Sequence, residues 1–219
     1  MNSALKQAMT PLIVGGIYAI TSHEHSLGRS NLEVAKAILD AGVRVLQYRE
    51  KDMKAGRMYE ECLAIRKLAR EAGATFLVND HVDIAMLVDA DGVHIGQEDL
   101  PPEAVRRLIG PDKILGLSTH RPEEAKAAQE SGLVDYIGVG PIFATKTKKD
   151  VCDPVGFEYL NHVIKNIELP FVAIGGIKEH NIAQVRAAGA RNICLVTEIV
   201  AARDIGARVR ALTAAMRTE

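Results

Sequence analysis

Short apolar runs alternate with amphipathic segments along the whole chain. The runs have the length of strands and are apolar on both faces, which is typical of a parallel sheet with both faces covered. They read, in order, GIYAIT, RVLQYR, TFLVND, GVHIG, ILGLST, YIGVGP, FVAIGG and NICLVT. Periodicity alone does not separate such runs from buried helix, so the segments between them have to be considered as well.

Those intervening segments place apolar side chains at helical spacing on one face. The clearest sets are Leu32, Ala35, Ile38 and Leu39; Met58, Cys62, Ile65 and Ala69; and Phe157, Leu160, Val163, Ile164 and Ile167. Glycines follow several helices, where a left-handed C-terminal cap has little steric cost. We expect this role for Gly42, Gly73, Gly92, Gly132 and Gly189. The pattern predicts repeated strand-then-helix units.

Eight such units predict an α/β fold, a single (β/α)8 TIM barrel, because eight parallel strands can close and leave no edge exposed. An open doubly wound sheet is the alternative architecture. We expect one domain over residues 1–219, with residues 1–14 as a short N-terminal extension. Ligands of such barrels bind at the carboxyl ends of the strands, so the residues that follow each run are the candidate site.

Composition agrees with an ordinary globular protein, since 47% of residues are hydrophobic and 25% are charged. Lys and Arg total 27 against 28 Asp and Glu, so no net basic field favours nucleic acid or an anionic membrane. We expect neither export nor a membrane span. Three cysteines without CxxC spacing favour a reducing compartment and predict a cytoplasmic protein. The oligomeric state stays open.

The second run ends in a group of polar residues. Strand alternation sends Gln47, Arg49 and Lys51 to one side. Arginine can hold phosphate oxygens with two parallel hydrogen bonds and lysine adds a point charge, so the group suits a diphosphate. An equally good interpretation from the charge pattern is a solvated strand end paired with Glu50 and Asp52.

Carboxylates follow the next two runs. The third run ends in Asn79 and Asp80, and the fourth is followed by Gln97, Glu98 and Asp99. Magnesium is commonly held by one or two carboxylates together with substrate phosphates and waters, which fits Asp80 and Asp99 on neighbouring loops. The alternative is that each aspartate caps the helix that follows it.

Hydroxyl and ammonium groups follow the fifth and sixth runs. Ser118 closes the fifth run, and the sixth opens a polar loop over residues 143–150. The loop contains Thr145, Thr147 and Lys148, which can donate hydrogen bonds to a phosphate, on a segment that could close over a ligand. A plain solvated loop is the alternative.

The last two runs end in Gly175–Gly176 and Val196–Thr197. Barrels frequently hold a phosphate between these two loops, although a pair of glycines can also serve only to make a turn. The chain has no HExxH, GxSxG, Walker A or GxGxxG motif, so hydrolase and nucleotide-binding classes lack support. His94, inside an apolar run, is interpreted as a core histidine.

Seven segments, taken in order, resemble the motif series of the thiamine phosphate synthase family over roughly residues 15–200. They are QYREK, VND, HIGQED, GLSTH, GPIFATKTKKD, AIGGI and CLVTEI. The resemblance implies condensation of hydroxymethylpyrimidine diphosphate with hydroxyethylthiazole phosphate, or its carboxylated precursor, and release of pyrophosphate. It also implies Mg²⁺ as cofactor and a substitution in which the diphosphate departs first.

The resemblance assigns roles to the matching residues. The pyrimidine diphosphate would be held by Gln47, Arg49, Lys51, Asn79, Ser118 and Lys148. Among these, the resemblance implies direct participation in catalysis for Arg49, Ser118 and Lys148. The magnesium ion would be carried by Asp80 and Asp99. The thiazole phosphate would be held by Thr145, Lys146, Thr147, Gly176, Val196 and Thr197.

The sequence departs from the family pattern in two places. The first run ends in Thr21–Ser22–His23, where many relatives have an acidic residue, and Thr197 replaces a common serine and is followed by Glu198. Two alternative functions remain: a thiazole tautomerase of the TenI group, and a barrel that binds thiazole phosphate without catalysis. The tautomerase has no use for the diphosphate and metal residues.

Overall fold

In the computed structural model, which describes residues 3–147 and 152–217, eight parallel strands close into a barrel in the order of the chain. The strands are β1 Gly16–Ile20, β2 Val45–Tyr48, β3 Thr75–Asn79, β4 Gly92–Ile95, β5 Ile114–Thr119, β6 Tyr136–Val139, β7 Phe171–Ala173 and β8 Asn192–Leu195. Tyr18 of β1 pairs with Val45 on one side and Cys194 on the other, which closes the ring. The predicted (β/α)8 barrel is confirmed, and the open sheet is wrong.

Helices surround this ring. They are α1 Ser3–Val14, α2 Asn31–Asp40, α3 Ala55–Glu71, α4 Val82–Leu87, α5 Pro102–Ile109, α6 Pro122–Ser131, α7 Gly156–Asn166, α8 Ile182–Ala187, α9 Thr197–Val200 and α10 Ile205–Ala215. A 3₁₀ turn, His23–His25, lies between β1 and α2. No helix within 3–147 or 152–217 is both long and apolar enough to cross a bilayer.

The outer core lies between the strands and these helices. The predicted apolar face of α3 is confirmed, since all four of its members are buried: Met58, Cys62, Ile65 and Ala69. On α2 the prediction is wrong for Leu32, which is 38% exposed. Asn31 is buried there instead, because its side-chain amide donates to carboxylates of Glu50 (2.9 Å) and Glu61 (2.8 Å).

Helix α1 closes the amino-terminal end of the barrel. Its buried side chains pack against inward-facing residues of the strands, and they are Leu5, Met9 and Leu12. The Thr75 hydroxyl donates to the carbonyl of Ala8 (2.7 Å), and the Asn192 amide donates to that of Leu12 (2.6 Å). Both donors stand at the first residue of a strand. The barrel interior is therefore packed from below by α1.

Four of the five predicted glycine caps are confirmed by positive φ angles, at Gly42, Gly73, Gly132 and Gly189. The prediction is wrong for Gly92, which begins β4. A Cβ atom at Gly92 would lie 2.1 Å from the carbonyl oxygen of Ile114, so close strand packing explains this glycine. Asp89, with φ 52°, makes the left-handed turn after α4.

Candidate active site

A cavity of about 1030 Å³ opens at the carboxyl ends of the strands. Its lining contains most of the residues that the sequence pointed to, which come from the end of β5 and from the loops after β2, β4, β6, β7 and β8. These are Arg49, Lys51, Asp99, Ser118, Thr145, Lys146, Thr147, Gly176, Val196 and Thr197. Residues far apart in the chain thus share one space.

The other predicted residues lie elsewhere. Gln47 is 2% exposed and faces a smaller cavity of about 40 Å³ inside the barrel. Asn79 is buried at the end of β3. Asp80 lies beside the main cavity, where one of its carboxylate oxygens is 3.5 Å from the ammonium nitrogen of Lys51. Lys148 falls outside the described residues.

Asp80 and Asp99 come together although they follow different strands. Burial, the Asp99 hydrogen bond and the Asp99 charge raise the pKa of Asp80, and Lys51 partly offsets this. Asp80 has a φ of 60°, a left-handed backbone conformation that is uncommon outside glycine and clusters at functional sites. The pair is therefore a concentration of negative charge in a partly buried position.

Neither aspartate caps the following helix, so the capping interpretation is wrong. The N-cap of α4 is His81 and that of α5 is Pro101. The Asp99 carboxylate instead accepts a hydrogen bond from the backbone N–H of Gly96 (2.7 Å), which holds it at the cavity.

A magnesium ion fits this donor set. Carboxylate oxygens are hard ligands, and a divalent cation would stabilise the ionised form of Asp80, which burial and the neighbouring Asp99 disfavour, as its raised pKa shows. The described part of the chain contains no cluster of three or more His, Cys, Asp or Glu side chains able to hold a metal alone. An ion here would therefore need further ligands from a substrate or water, which is how magnesium is commonly bound.

The strand end after β2 is fixed from behind. The backbone N–H of Arg49 donates to the hydroxyl of Thr21 (3.1 Å), a fully buried residue of the β1 end. Glu50 accepts hydrogen bonds from the His23 backbone (2.8 Å) and the Asn31 amide (2.9 Å). Glu50 thus serves the β1 loop and α2, whereas the Arg49 side chain lines the cavity.

Three threonine hydroxyls meet on the opposite side of the cavity. Thr145 donates to Thr147 (3.1 Å), and the hydroxyl oxygens of Thr147 and Thr197 lie 3.4 Å apart. The loop after β7 packs against them: Gly176 has φ 62°, and a Cβ there would lie 2.6 Å from the carbonyl oxygen of Ala144. The loops after β6, β7 and β8 therefore form one continuous wall with hydroxyl donors.

An ion pair beside this wall was missed by the sequence reasoning. The ammonium of Lys178 donates to Glu198 (3.0 Å), and Glu198 also lies 3.4 Å from Arg208. Both Lys178 and Glu198 line the main cavity. The available signal was position, because Lys178 follows Gly176 by two residues.

A chain of buried polar groups connects the barrel interior with the cavity. Gln47 donates to the Tyr18 hydroxyl (2.6 Å), which lies 2.9 Å from that of Tyr136. His94 contacts Tyr136 through Nδ1 (2.8 Å) and Ser118 through Nε2 (2.9 Å). Burial raises the pKa of both tyrosines, so the phenols keep their protons.

This chain reaches the cavity at Ser118. Either hydroxyl can donate in the contact between Tyr18 and Tyr136, and the roles of the two His94 ring nitrogens depend on its tautomer. In the tautomer that carries its proton on Nε2, His94 donates to Ser118, and the Ser118 hydroxyl is then available to donate to a ligand. Alternation along β4 could have revealed that His94 faces the barrel interior.

A sequence profile described as Thiamine monophosphate synthase matches residues 17–199. The chain belongs to the thiamine monophosphate synthase family. It is 65% identical over 209 residues to a protein named thiamine-phosphate synthase from Pelotomaculum thermopropionicum, covering 95% of each chain. It is 55% identical to one of the same name from Lawsonia intracellularis, covering 91% of this chain and 92% of the relative.

A solved structure of thiamine phosphate pyrophosphorylase from Pyrococcus furiosus superposes with a TM-score of 0.83 and 34% identity. The match covers 91% of this chain and 94% of that one. Membership of the thiamine monophosphate synthase family makes the protein an enzyme, a transferase of thiamine biosynthesis. The motifs that resembled this family in the sequence stand at the ends of successive strands, from β2 to β8.

Proposed function

We propose that this enzyme condenses hydroxymethylpyrimidine diphosphate with hydroxyethylthiazole phosphate to give thiamine phosphate and pyrophosphate, or with the carboxylated precursor of the thiazole, in which case carbon dioxide is released as well. The observation that carries the proposal is a single cavity with two different polar walls. Arg49, Lys51 and the pair of aspartates lie on the side of β2 to β4, and three threonine hydroxyls lie on the side of β6 to β8. Two phosphorylated substrates fit this division.

Arg49 and Lys51 would bind the diphosphate, with Gln47, Asn79 and Ser118 completing the pyrimidine subsite. Arginine and lysine beside a carboxylate pair form a site for an anion that arrives with a cation. Magnesium held by Asp80 and Asp99 would neutralise charge on the departing diphosphate. The resemblance adds Lys148 to this group, and that residue lies outside the described ranges.

The reaction breaks the carbon–oxygen bond between the pyrimidine methylene and the diphosphate, and the electron pair leaves with the oxygen. The electron-rich pyrimidine stabilises the resulting methylene cation, which the lone pair of the thiazole nitrogen then captures. With hydroxyethylthiazole phosphate no proton is transferred, so a general base is not required. With the carboxylated precursor, the bond to the carboxylate also breaks, carbon dioxide leaves, and a proton from water takes its place on the thiazole carbon. Arg49 and Lys51 contribute by stabilising negative charge as it develops, usually the largest catalytic contribution available.

The second substrate would place its phosphate at the opposite wall. Thr145, Thr147 and Thr197 present hydroxyls there, Lys146 lines the same cavity, and Gly176 and Val196 leave space beside them. The distance between the walls would keep the two anionic groups apart while the heterocycles meet between them.

Both alternative functions are less well supported. A tautomerase that binds only a thiazole phosphate gives no reason for Arg49, Lys51, Asp80 and Asp99 to meet at one mouth. A binding protein without catalysis would bind both substrates in calorimetry and show no turnover over hours.

The proposal also includes a cytoplasmic location, which free thiols at Cys62, Cys152 and Cys194 favour.

The direct test mixes the protein with both substrates and magnesium. We expect thiamine phosphate, detected by fluorescence after oxidation, together with one pyrophosphate per product. Each substrate alone should give no product, and chelation of magnesium should stop the reaction. Absence of product with both substrates and magnesium would refute the proposed function.

A further inference from the structure

The ion pair of Lys178 and Glu198 lies where the proposed thiazole phosphate would bind. Lys178 follows Gly176 by two residues, and Glu198 follows Thr197 directly. Both side chains line the main cavity, and the ammonium nitrogen is 3.0 Å from the carboxylate. The Lys178 ammonium therefore lies beside the threonine wall. It is paired there with the carboxylate of Glu198, an acidic group that would repel a bound phosphate.

The turn that carries Lys178 is firmly held. The backbone N–H of Lys178 donates to the side-chain oxygen of Asn181 (2.6 Å), whose amide donates to the carbonyl of Gly176 (3.1 Å). Asn181 is 7% exposed, so this link is shielded from water. The backbone of the turn is thus fixed, and movement of the ammonium has to come from the side chain.

The two members of the pair differ in freedom. The Glu198 side chain is 15% exposed and lies 3.4 Å from Arg208, which also pairs with Glu179. The Lys178 side chain is 45% exposed. If Lys178 leaves, Glu198 keeps a cationic partner, so the move does not strand a partly buried carboxylate, which would be unfavourable.

We propose that Lys178 is a specificity residue that binds the phosphate of the thiazole substrate by exchanging Glu198 for the phosphate oxygens. Glu198 is a positioning residue that holds the ammonium at the wall before the substrate arrives. The inference rests on the proposed function and adds to it a preference for the phosphorylated thiazole over the unphosphorylated one. A phosphate monoester dianion can draw Lys178 away from Glu198, whereas the corresponding unphosphorylated alcohol cannot.

Lys178→Met tests this inference, because it keeps the length of the side chain and removes the charge. We expect KM for the thiazole phosphate to rise about tenfold to a hundredfold, the range for loss of a charge-assisted hydrogen bond. KM for the pyrimidine diphosphate and kcat at saturation should stay unchanged. Lys178→Arg should restore most of the affinity.

Two controls make the result specific. Lys126→Met removes an exposed lysine that pairs with Glu130 on α6, and it should leave every constant unchanged. Unphosphorylated hydroxyethylthiazole, used as a poor substrate, should be turned over equally by the wild type and by Lys178→Met. An equal loss with both thiazoles, or unchanged KM for the phosphate, would overturn the role of Lys178.

Calorimetry separates this inference from the proposed function. Binding of the thiazole phosphate to wild type and Lys178→Met is measured without the second substrate. Weaker binding by the variant supports the inference even if no thiamine phosphate forms. Equal binding by the two proteins overturns the role of Lys178 but leaves the proposed reaction standing. Absence of binding to the wild type also overturns the role of Lys178.

Discussion

The ammonium nitrogen of Lys51 lies 3.5 Å from a carboxylate oxygen of Asp80, a residue that directly follows β3 and is hydrogen-bonded to a second carboxyl group, that of Asp99. Lys51 lowers the pKa of Asp80, but burial and Asp99 together raise it further, so the net direction is upward. The folded protein therefore disfavours the ionised form of Asp80, and this charge does not serve stability.

Asp80→Asn should lower turnover strongly and leave the free energy of unfolding unchanged or higher. Asparagine tolerates the left-handed backbone at this position, and its neutral side chain ends the repulsion with Asp99. We expect turnover to fall about a hundredfold or more, typical for loss of an electrostatic group that stabilises a transition state. Asp40→Asn, which changes an exposed carboxylate at the end of α2, is the control. Matching losses of activity and stability would point to a structural role.

Arg49→Ala should weaken binding of the pyrimidine diphosphate. Loss of charge-assisted hydrogen bonds removes about 1.5 to 3 kcal/mol, which corresponds to roughly a tenfold to 150-fold increase in KM. Binding of the thiazole phosphate should be unaffected, because the threonine wall lies across the cavity. Arg107→Ala on the exposed face of α5 provides the comparison. Unchanged affinity for the diphosphate would refute the assignment.

The buried tyrosines predict a loss of stability in alkaline solution. Burial raises the pKa of Tyr18 and Tyr136, whose ordinary value is 10.0, so only the unfolded chain ionises near that pH. Their contribution is complete below about pH 10 and is lost as the pH rises further, by up to about 1.4 kcal/mol per pH unit for each phenol.

Tyr136→Phe should make this decline less steep in urea unfolding measured from pH 8 to pH 11. At neutral pH it should cost about 1 to 3 kcal/mol, since it removes the buried hydroxyl that contacts both Tyr18 and His94. Tyr59→Phe, at an exposed position on α3, should reproduce neither effect. An unaltered pH dependence in Tyr136→Phe would contradict the linkage.

Gly176→Ala should reduce both stability and affinity for the thiazole phosphate. The left-handed backbone and a Cβ 2.6 Å from the Ala144 carbonyl oxygen should cost about 2 kcal/mol or more. Gly56→Ala in α3 is the matched control, because its Cβ would meet nothing within 4 Å. That change should stabilise the protein by about 0.5 to 1 kcal/mol. Equal effects at the two glycines would exclude this packing argument.

The strands could be predicted because each is apolar on both faces, and their residues at the cavity followed from the carboxyl-end rule. Helix α1 was not predicted, since Pro11 interrupts its sequence although it lies inside the helix. Gly92 was assigned a cap because a glycine after a helix looks the same whether it supplies a turn or a close contact.

The parts of the site that escaped prediction depend on contacts between distant residues. Alternation along β4 could have indicated where His94 points, but its partners Tyr136 and Ser118 come from other strands. The inferred role of Lys178 depends on its ion pair with Glu198 and on the neighbouring Arg208. These residues come together only when the barrel closes. Local sequence patterns do not indicate which distant residues contact one another.

The charged wall comes from loops after β2, β3 and β4, and the threonine wall from loops after β6 and β8. Each half of the ring thus supplies equipment for one partner of the proposed condensation. A complete cavity with both sets of side chains therefore exists only when the last strand, β8, is paired with the first, β1.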